Sequence, residues 1–206
     1  MPSTMIDTLN AWDHSLFWWV NSHHCMVSDW LLWTVSQAWS WPLVIGGAYL
    51  AVCKRLGWQC WWTLLIGIAL CFLLGDRISV MCFKDTVMRL RPCHEMEGVR
   101  MFLTHCGGKY SFVSSHAANS AATAMFLSLM ATVKMPHAKP LKCLPWLMAF
   151  WVLLIDYSRP YLGTHFPGDV LCGSILGIAI GSILFALYCR IVPRFQSRST
   201  TTTSPR

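Results

Sequence analysis

Long apolar stretches separated by short charged segments dominate the pattern along this chain. A membrane-spanning helix needs about 20 apolar residues, and stretches of this kind, free of Lys, Arg, Asp and Glu, recur in the sequence. The fourth is short and reaches spanning length only by including Asp156 and Tyr157 at one end and Leu141–Lys142 at the other. The pattern predicts an all-α transmembrane bundle over residues 30–190, with five spanning helices at Trp30–Cys53, Leu56–Gly75, Tyr110–Val133, Cys143–Ile155 and Val170–Cys189.

The two ends of the chain differ from this bundle. Within residues 1–29, the apolar block Leu16-Phe17-Trp18-Trp19-Val20 is too short to span and is flanked by polar residues. This pattern predicts an interfacial amphipathic helix, with a sixth, partly inserted helix as the alternative. Residues 191–206 are rich in Ser, Thr and Arg, a composition that predicts a disordered cytoplasmic tail.

Composition supports the membrane assignment. Hydrophobic residues make up 55% of the chain and charged residues only 12%, against about 25% charged residues in a soluble domain. These values argue against a soluble globular protein and against a disordered chain. The net charge of +7 is therefore interpreted as a signal of membrane orientation, and no nucleic-acid partner is predicted.

The charges are sorted between two sets of connections. One set, 54–55, 134–142 and 190–206, contains nine cations and no acid. The other set, 1–29, 76–109 and 156–169, contains all nine acids and the remaining seven cations. Cytoplasmic loops carry the excess of Lys and Arg, so the first set is predicted to be cytoplasmic and the second extracytoplasmic.

Three polar motifs fall on the predicted extracytoplasmic side. Lys84-x6-Arg91-Pro92 follows the second helix, Ser114-Ser115-His116 begins the third, and Ser158-Arg159-x5-His165-x3-Asp169 connects the fourth and fifth. Ionisable residues at a membrane edge are costly and usually functional. The predicted topology rests on the apolar stretches and the loop charges alone, and it nevertheless brings all three motifs to one membrane face.

The residue types suit phosphoryl chemistry. Lys and Arg bind phosphate oxygens, and the backbone N–H groups at a helix N-terminus favour anions. A carboxylate four residues after a histidine can orient that imidazole as a nucleophile, while a second histidine can protonate the leaving oxygen. With three cations available to stabilise charge, no metal and no cofactor are predicted.

These motifs resemble those of the type 2 phosphatidic acid phosphatase (PAP2) superfamily, which also includes vanadium haloperoxidases. The family pattern is K-x6-RP, then PSGH, then SR-x5-H-x3-D. The first and third segments match in full, whereas Val113 and Ser115 stand where the second has Pro and Gly. The resemblance covers about residues 76–190.

The resemblance implies a role for each motif residue. His165 would form a phosphohistidine, Asp169 would support it, and His116 would protonate the departing group. The phosphate-binding set would be Lys84, Arg91, Ser114, Ser115 and Arg159.

The substrate implied by the resemblance is a lipid phosphate or diphosphate. Undecaprenyl diphosphate is preferred, because its recycling needs an outward-facing site in a bacterial cytoplasmic membrane. Phosphatidate, phosphatidylglycerophosphate and lipid A phosphate remain alternatives, as does transfer of the phosphoryl group to an acceptor lipid. The full residue set argues against a protein that only binds anionic lipid, and the membrane character argues against a haloperoxidase. The sequence indicates no particular oligomeric state.

Two further features concern packing. Cys93 and Cys106 flank an extracytoplasmic loop, where either a disulfide or two free thiols would fit. Gly173, Gly177 and Gly181 share one face of the last helix, and small residues of this kind let two helices approach closely.

Overall fold

The computed structural model describes residues 5–57, 60–133 and 141–201, with side chains up to residue 191. In these ranges the regular structure is helical, apart from a single β-bridge between Leu90 and Tyr110, which confirms the all-α prediction. The helices are α1 (Met5–Ser22), α2 (Met26–Ser36), α3 (Trp41–Leu56), α4 (Trp61–Ile78), α5 (Asp85–Val87), α6 (Pro92–Glu95), α7 (Ser115–Val133), α8 (Leu144–Tyr161) and α9 (Pro167–Thr201).

The predicted single helix over Trp30–Cys53 is wrong, because the chain breaks between α2 and α3. Pro42 lies in the first turn of α3, where its missing N–H is tolerated, whereas inside a helix it would clash with the preceding turn. The break is held by side chains: the Trp41 indole donates to the Val35 carbonyl (3.1 Å) and the Ser40 hydroxyl to the Gln37 carbonyl (2.8 Å).

The other predicted spans correspond to helices with shifted ends. Helix α4 begins at Trp61 rather than Leu56, α7 begins at Ser115 rather than Tyr110, and α8 extends beyond Ile155 to Tyr161. Two stretches, Trp61–Val87 and Pro167–Ile191, are long and apolar enough to cross a membrane. The number of spans, five or six, therefore stays a prediction.

The predictions for the C-terminal tail and for one connection are only partly covered by the described residues. Helix α9 continues to Thr201, where the sequence predicts disorder from residue 191, and the last residues of that tail, 202–206, lie outside the described residues. So does 134–140, which is most of the predicted cytoplasmic loop.

A close contact between α7 and α9 organises the bundle. A Cβ atom added at Gly173, Gly177 or Gly181 would clash with the backbone carbonyl oxygens of Ser114, at the start of α7, and of Ala118 and Ala122 within it, respectively. The shared glycine face predicted from the sequence thus packs directly against the α7 backbone. Ala117, Ala118, Ala121 and Ala122 are buried on α7, and this small-residue surface permits the approach.

The outside of the bundle is strongly apolar. Large hydrophobic side chains are exposed along α3, α4, α8 and α9, among them Leu43, Ile66, Phe150 and Ile175. Soluble monomers rarely expose contiguous apolar surface on this scale. The apolar face distribution fits helices that contact lipid.

The α7–α9 contact gives a test of the fold. Gly177→Ala should destabilise the protein by about 1–3 kcal/mol, the usual cost of overpacking, because the added methyl meets the Ala118 carbonyl oxygen. The matched control is Gly47→Ala on α3, where nothing lies within 4 Å of the added methyl; there the loss of glycine should be neutral or stabilising by about 0.5–1 kcal/mol. Thermal unfolding in detergent, followed by tryptophan fluorescence, compares the two, and equal midpoints would contradict the packing.

Candidate active site

A π-helical turn positions the lysine of the first motif. Helix α4 continues into the π-helical segment Ser79–Lys84, a conformation that is rare and often found at functional sites. At its end the Lys84 ammonium donates to the Ser115 hydroxyl at 2.9 Å, at the start of α7. The first and second motifs therefore meet directly.

A short extended pairing positions the two arginines that follow. The Ser111 N–H donates to the Arg89 carbonyl (2.8 Å), and the Arg91 N–H donates to the Lys109 carbonyl (3.3 Å). Successive residues of an extended segment point to opposite faces, so Arg89 and Arg91 emerge on the same side. The disulfide between Cys93 and Cys106 closes the loop that joins the two paired segments.

His165 is held at both ring nitrogens. Its side chain is 2% exposed; the Arg91 guanidinium lies 3.2 Å from Nε2 and the Ser111 hydroxyl 3.2 Å from Nδ1. Arg91 can only donate, so Nε2 accepts and the proton is on Nδ1. This tautomer leaves the Nε2 lone pair directed at the arginine, where a phosphate would bind.

Asp169 lies behind His165, in the first turn of α9. Its Oδ2 atom is 3.8 Å from His165 Nδ1, which is too long for a direct hydrogen bond. The Ser111 hydroxyl bridges the gap, because it also donates to Oδ2. The Phe166 N–H donates to the same oxygen at 2.9 Å. The predicted pair of His165 and Asp169 is therefore connected through Ser111, which the motifs do not contain.

The second motif divides between structure and site. Ser114 is fully buried and caps α7: its Oγ accepts from the Ala117 N–H (3.5 Å), and its own N–H donates to the Asp169 carbonyl (3.1 Å). The Ser114 N–H is therefore not available to an anion, contrary to the sequence prediction. Ser115 instead faces Lys84.

Arg159 and Asp156 lie one turn apart on α8. The Arg159 side chain is buried and donates from Nε and one terminal nitrogen to the Ser158 hydroxyl, each at 3.2 Å. Asp156 accepts from Ser174 at 2.6 Å, which joins α8 to α9. Its other oxygen is buried with no hydrogen-bond partner.

His116 faces the basic side chains of the three motifs on one side and a cavity on the other. Arg159, His165, Arg91 and Lys84 all lie close enough to act on it electrostatically. On its other side, a cavity of about 430 Å³ falls in the size range of small-molecule sites. The cavity is lined by Ala38, Trp41, Pro42, Ile45, Phe72, His116 and Asn119.

Ion pairing separates the site cations from the structural ones. Arg89 pairs with Asp13 and Asp169, and Arg100 pairs with Asp29. Within the described part of the chain, Lys84, Arg91 and Arg159 make no ion pair, and Arg91 Nε has no hydrogen-bond partner at all. Arg159 is buried, and Lys84 and Arg91 are half-buried. Cations shielded from water without counter-ions are costly, so this anion-binding cluster of three residues is the candidate site for a phosphate.

The environment keeps His165 neutral. Burial, with Arg91 and Arg159 nearby, lowers the pKa of His165 to about 4, although Asp169 opposes the shift. An imidazole that is neutral at physiological pH retains the lone pair that a nucleophile needs. Among the described residues, no three His, Cys, Asp or Glu side chains cluster as metal ligands.

Three residues with direct contacts in the site escaped the sequence analysis: Ser111, Arg89 and Asp13. Arg89 stands two residues from Arg91 in the first motif, which is a usable signal once the segment is known to be extended. Ser111 and Asp13 lie 54 and 155 residues from their respective partners His165 and Gly168, and no local pattern marks them.

Comparisons with known proteins identify relatives of this chain. The chain is similar to two lipid A 4'-phosphatases. That of Bacteroides thetaiotaomicron is 26% identical over 200 residues, covering 94% of this chain and 84% of that protein. That of Porphyromonas gingivalis is 26% identical over 181 residues, covering 85% and 72%.

Two crystal structures share the fold. LpxE of Aquifex aeolicus superposes with a TM-score of 0.56 at 21% identity, over 84% of this chain and 93% of that one. A transmembrane PAP2-type phosphatidylglycerolphosphate phosphatase from Bacillus subtilis superposes with a TM-score of 0.66 at 19% identity, over 90% and 88%.

The family model of the PAP2 superfamily matches residues 60–192. This segment contains the three clustered cations, Asp169 and the two motif histidines, His116 and His165. It spans more than half of the chain. The chain therefore belongs to the PAP2 superfamily, as a membrane protein and a phosphoric ester hydrolase.

Proposed function

We propose that this protein removes the 4′-phosphate group from lipid A through a phosphohistidine formed on His165. The chemistry rests on one observation above all: a neutral, buried imidazole has its Nε2 atom 3.2 Å from an arginine that lacks a counter-ion. A phosphate bound to that arginine would be adjacent to the nucleophile. The lipid A assignment rests on the curated relatives, with which the alignment runs over most of both chains.

The first step forms the covalent intermediate. Lys84, Arg91 and Arg159 bind the non-bridging phosphate oxygens, with Ser115 beside Lys84. The Nε2 lone pair attacks phosphorus, and the bond from phosphorus to the lipid oxygen breaks. His116 gives its proton to that oxygen, since the dianionic phosphate beside it favours the protonated imidazole.

The second step releases phosphate. Water attacks the phosphohistidine, His116 takes up a proton from that water, and the P–N bond breaks to restore neutral His165. The His165 ring carries positive charge while it is phosphorylated. Asp169 stabilises this charge through Nδ1 and the Ser111 hydroxyl, in the manner of an orienting carboxylate.

The cavity beside His116 is where we propose that the lipid part of the substrate lies. In an in-line displacement the leaving oxygen is opposite the attacking nitrogen, so the remainder of the substrate extends past His116. The cavity begins there, and its walls are apolar except at His116 and Asn119. Its lining by Trp41 and Phe72 suits a hydrocarbon chain better than a soluble sugar phosphate.

Undecaprenyl diphosphate, the substrate that the sequence analysis prefers, has no support from the relatives and stays a prediction.

We propose an extracytoplasmic site on the bacterial inner membrane, because the site lies among the connections that hold the acids. Helix α3 begins near the site, at Trp41, and the cations Lys54 and Arg55 lie at its other end.

Removal of the nucleophile tests the chemistry. His165→Ala should reduce phosphate release from lipid phosphates by at least about 10³-fold, as for loss of a catalytic nucleophile. Wild-type activity should persist with EDTA present, since the cations of the cluster carry the charge that a metal would otherwise neutralise. The control is His105→Ala, which alters an exposed histidine and should retain full activity. Undiminished release from the His165 variant would refute the phosphohistidine.

A substrate panel tests the lipid. Purified protein should release phosphate from lipid A that carries phosphates at positions 1 and 4′, and none from lipid A that carries only the 1-phosphate. Undecaprenyl diphosphate, phosphatidate and phosphatidylglycerophosphate complete the panel, with kcat/KM as the measure. A higher kcat/KM for any of these three would replace lipid A as the substrate.

Two native cysteines test the orientation. Cys25 and Cys143 are both exposed free thiols, and the proposed topology separates them across the membrane. Single-thiol variants would keep the Cys93–Cys106 disulfide and have the other free cysteines replaced by alanine. A membrane-impermeant maleimide should label Cys25 in spheroplasts and Cys143 only after permeabilisation. The reverse result would invert the topology.

A further inference from the structure

Helix α1 packs on the backbone that joins His165 to Asp169. The Gly168 N–H donates to Asp13 at 2.7 Å. The His14 ring stacks on Phe166 with centroids 4.6 Å apart, and fully buried Phe17 lies 5.5 Å from the same ring. Three neighbouring side chains of α1 thus contact the segment between the two proposed catalytic residues.

Arg89 connects the same helix to the carboxylate itself. One terminal nitrogen donates to Asp169 Oδ1 at 3.0 Å, and the other lies 2.7 Å from Asp13 Oδ2. The guanidinium also stacks 4.0 Å above the centre of the Phe166 ring. The side chains of Arg89, Asp13 and Asp169 are 19%, 13% and 0% exposed, so solvent screens these interactions weakly.

Because Arg89 pairs with one carboxylate oxygen of Asp169, the two oxygens have different partners. Oδ1 pairs with Arg89, which fixes the rotation of the carboxylate and leaves Oδ2 for Ser111, the Phe166 N–H and His165. Asp13 shares the charge of Arg89, so Asp169 keeps part of its negative charge for the phosphorylated ring. Without Asp13, the arginine would neutralise Asp169 more completely.

We propose that Arg89 and Asp13 are positioning residues for the Asp169–His165 pair, and that α1 is in this way part of the active site. This inference rests on the phosphohistidine of the proposed function but does not depend on which lipid is the substrate. Neither residue touches the reacting atoms.

Opposite charge changes distinguish a positioning role from a purely structural one. The charged and titratable groups around His165 are Arg89, Arg91, His116, Arg159, Asp169 and, through Arg89, Asp13. Arg89→Gln removes a positive charge and should raise the pKa of His165, moving the acid limb of the rate profile to higher pH. Asp13→Asn removes a negative charge and should move that limb to lower pH.

The experiment measures kcat and KM from pH 3 to 8 for wild type and both variants, so that the range includes the region below the pKa of His165. Two substrates are used, lipid A and the soluble p-nitrophenyl phosphate. The ionisation of each substrate is the same for every protein, so it cancels when the pH profiles of the variants are compared with that of the wild type. Each variant should lose about 10–100-fold in kcat, the usual effect of a residue that orients a ligating or catalytic group, with KM nearly unchanged. The double variant should show a smaller loss than the product of the two single losses.

Two controls separate catalysis from folding. Asp29→Asn breaks the comparable ion pair between Asp29 and Arg100, and should lower the unfolding temperature without moving the acid limb. Glu97→Gln alters an exposed carboxylate and should change neither. The inference is wrong if the Asp13 and Arg89 variants have a lower unfolding temperature but an unchanged kcat and pH profile. It is also wrong if both variants shift the acid limb of the profile in the same direction. A wild-type protein inactive on both probes and on undecaprenyl diphosphate, phosphatidate and phosphatidylglycerophosphate would instead refute the phosphohistidine mechanism, and this inference with it.

Discussion

The close approach of α7 and α9 is the constraint on which the rest of the structure depends. The glycine face of α9 lies against the α7 backbone, so the N-termini of the two helices meet at one end of the bundle. There the Ser114 N–H donates to the Asp169 carbonyl. A wider separation would move His116, on α7, away from the His165 segment that leads into α9. The distance between the proposed acid and nucleophile is thus set by residues that have no chemistry of their own.

The same end of the bundle sorts its cations by whether they have a counter-ion. Arg89 and Arg100 are paired with carboxylates and connect α1 and α2 to the segment between α5 and α7. Lys84, Arg91 and Arg159 contact only neutral groups. Burial disfavours their charge, and their mutual repulsion adds to this cost. In the proposed mechanism a phosphate dianion offsets both penalties at once, so substrate binding would recover the free energy that assembling these cations costs.

The sequence predicts the helical bundle and the three motifs because both are encoded locally. Apolar stretches identify α4 and α9, and fixed spacings identify Lys84, Arg91, His165 and Asp169. The break at residues 37–40 was missed because hydropathy does not register that Pro42 is tolerated in the first turn of a helix but not inside one. Ser111 was missed for another reason. It reaches the site through the pairing of residues 89–91 with 109–111, and such a non-local pairing leaves no periodic pattern in either segment. Arg89 and Asp13 depend on the docking of α1, which is likewise a tertiary contact.

Helix α1 shows how a peripheral element can serve two environments. One face presents Asp13, His14 and Phe17 to the segment between His165 and Asp169. The other exposes Ile6, Leu9, Trp12, Leu16 and Trp19, a combination of Trp and aliphatic residues that suits a membrane interface. Because a rigid helix connects the two faces, an α1 that lies at the membrane interface, as the sequence predicts, would also fix where Asp13 meets Arg89. The geometry of the proposed nucleophile would in this way be coupled to the surface from which the proposed lipid substrate enters.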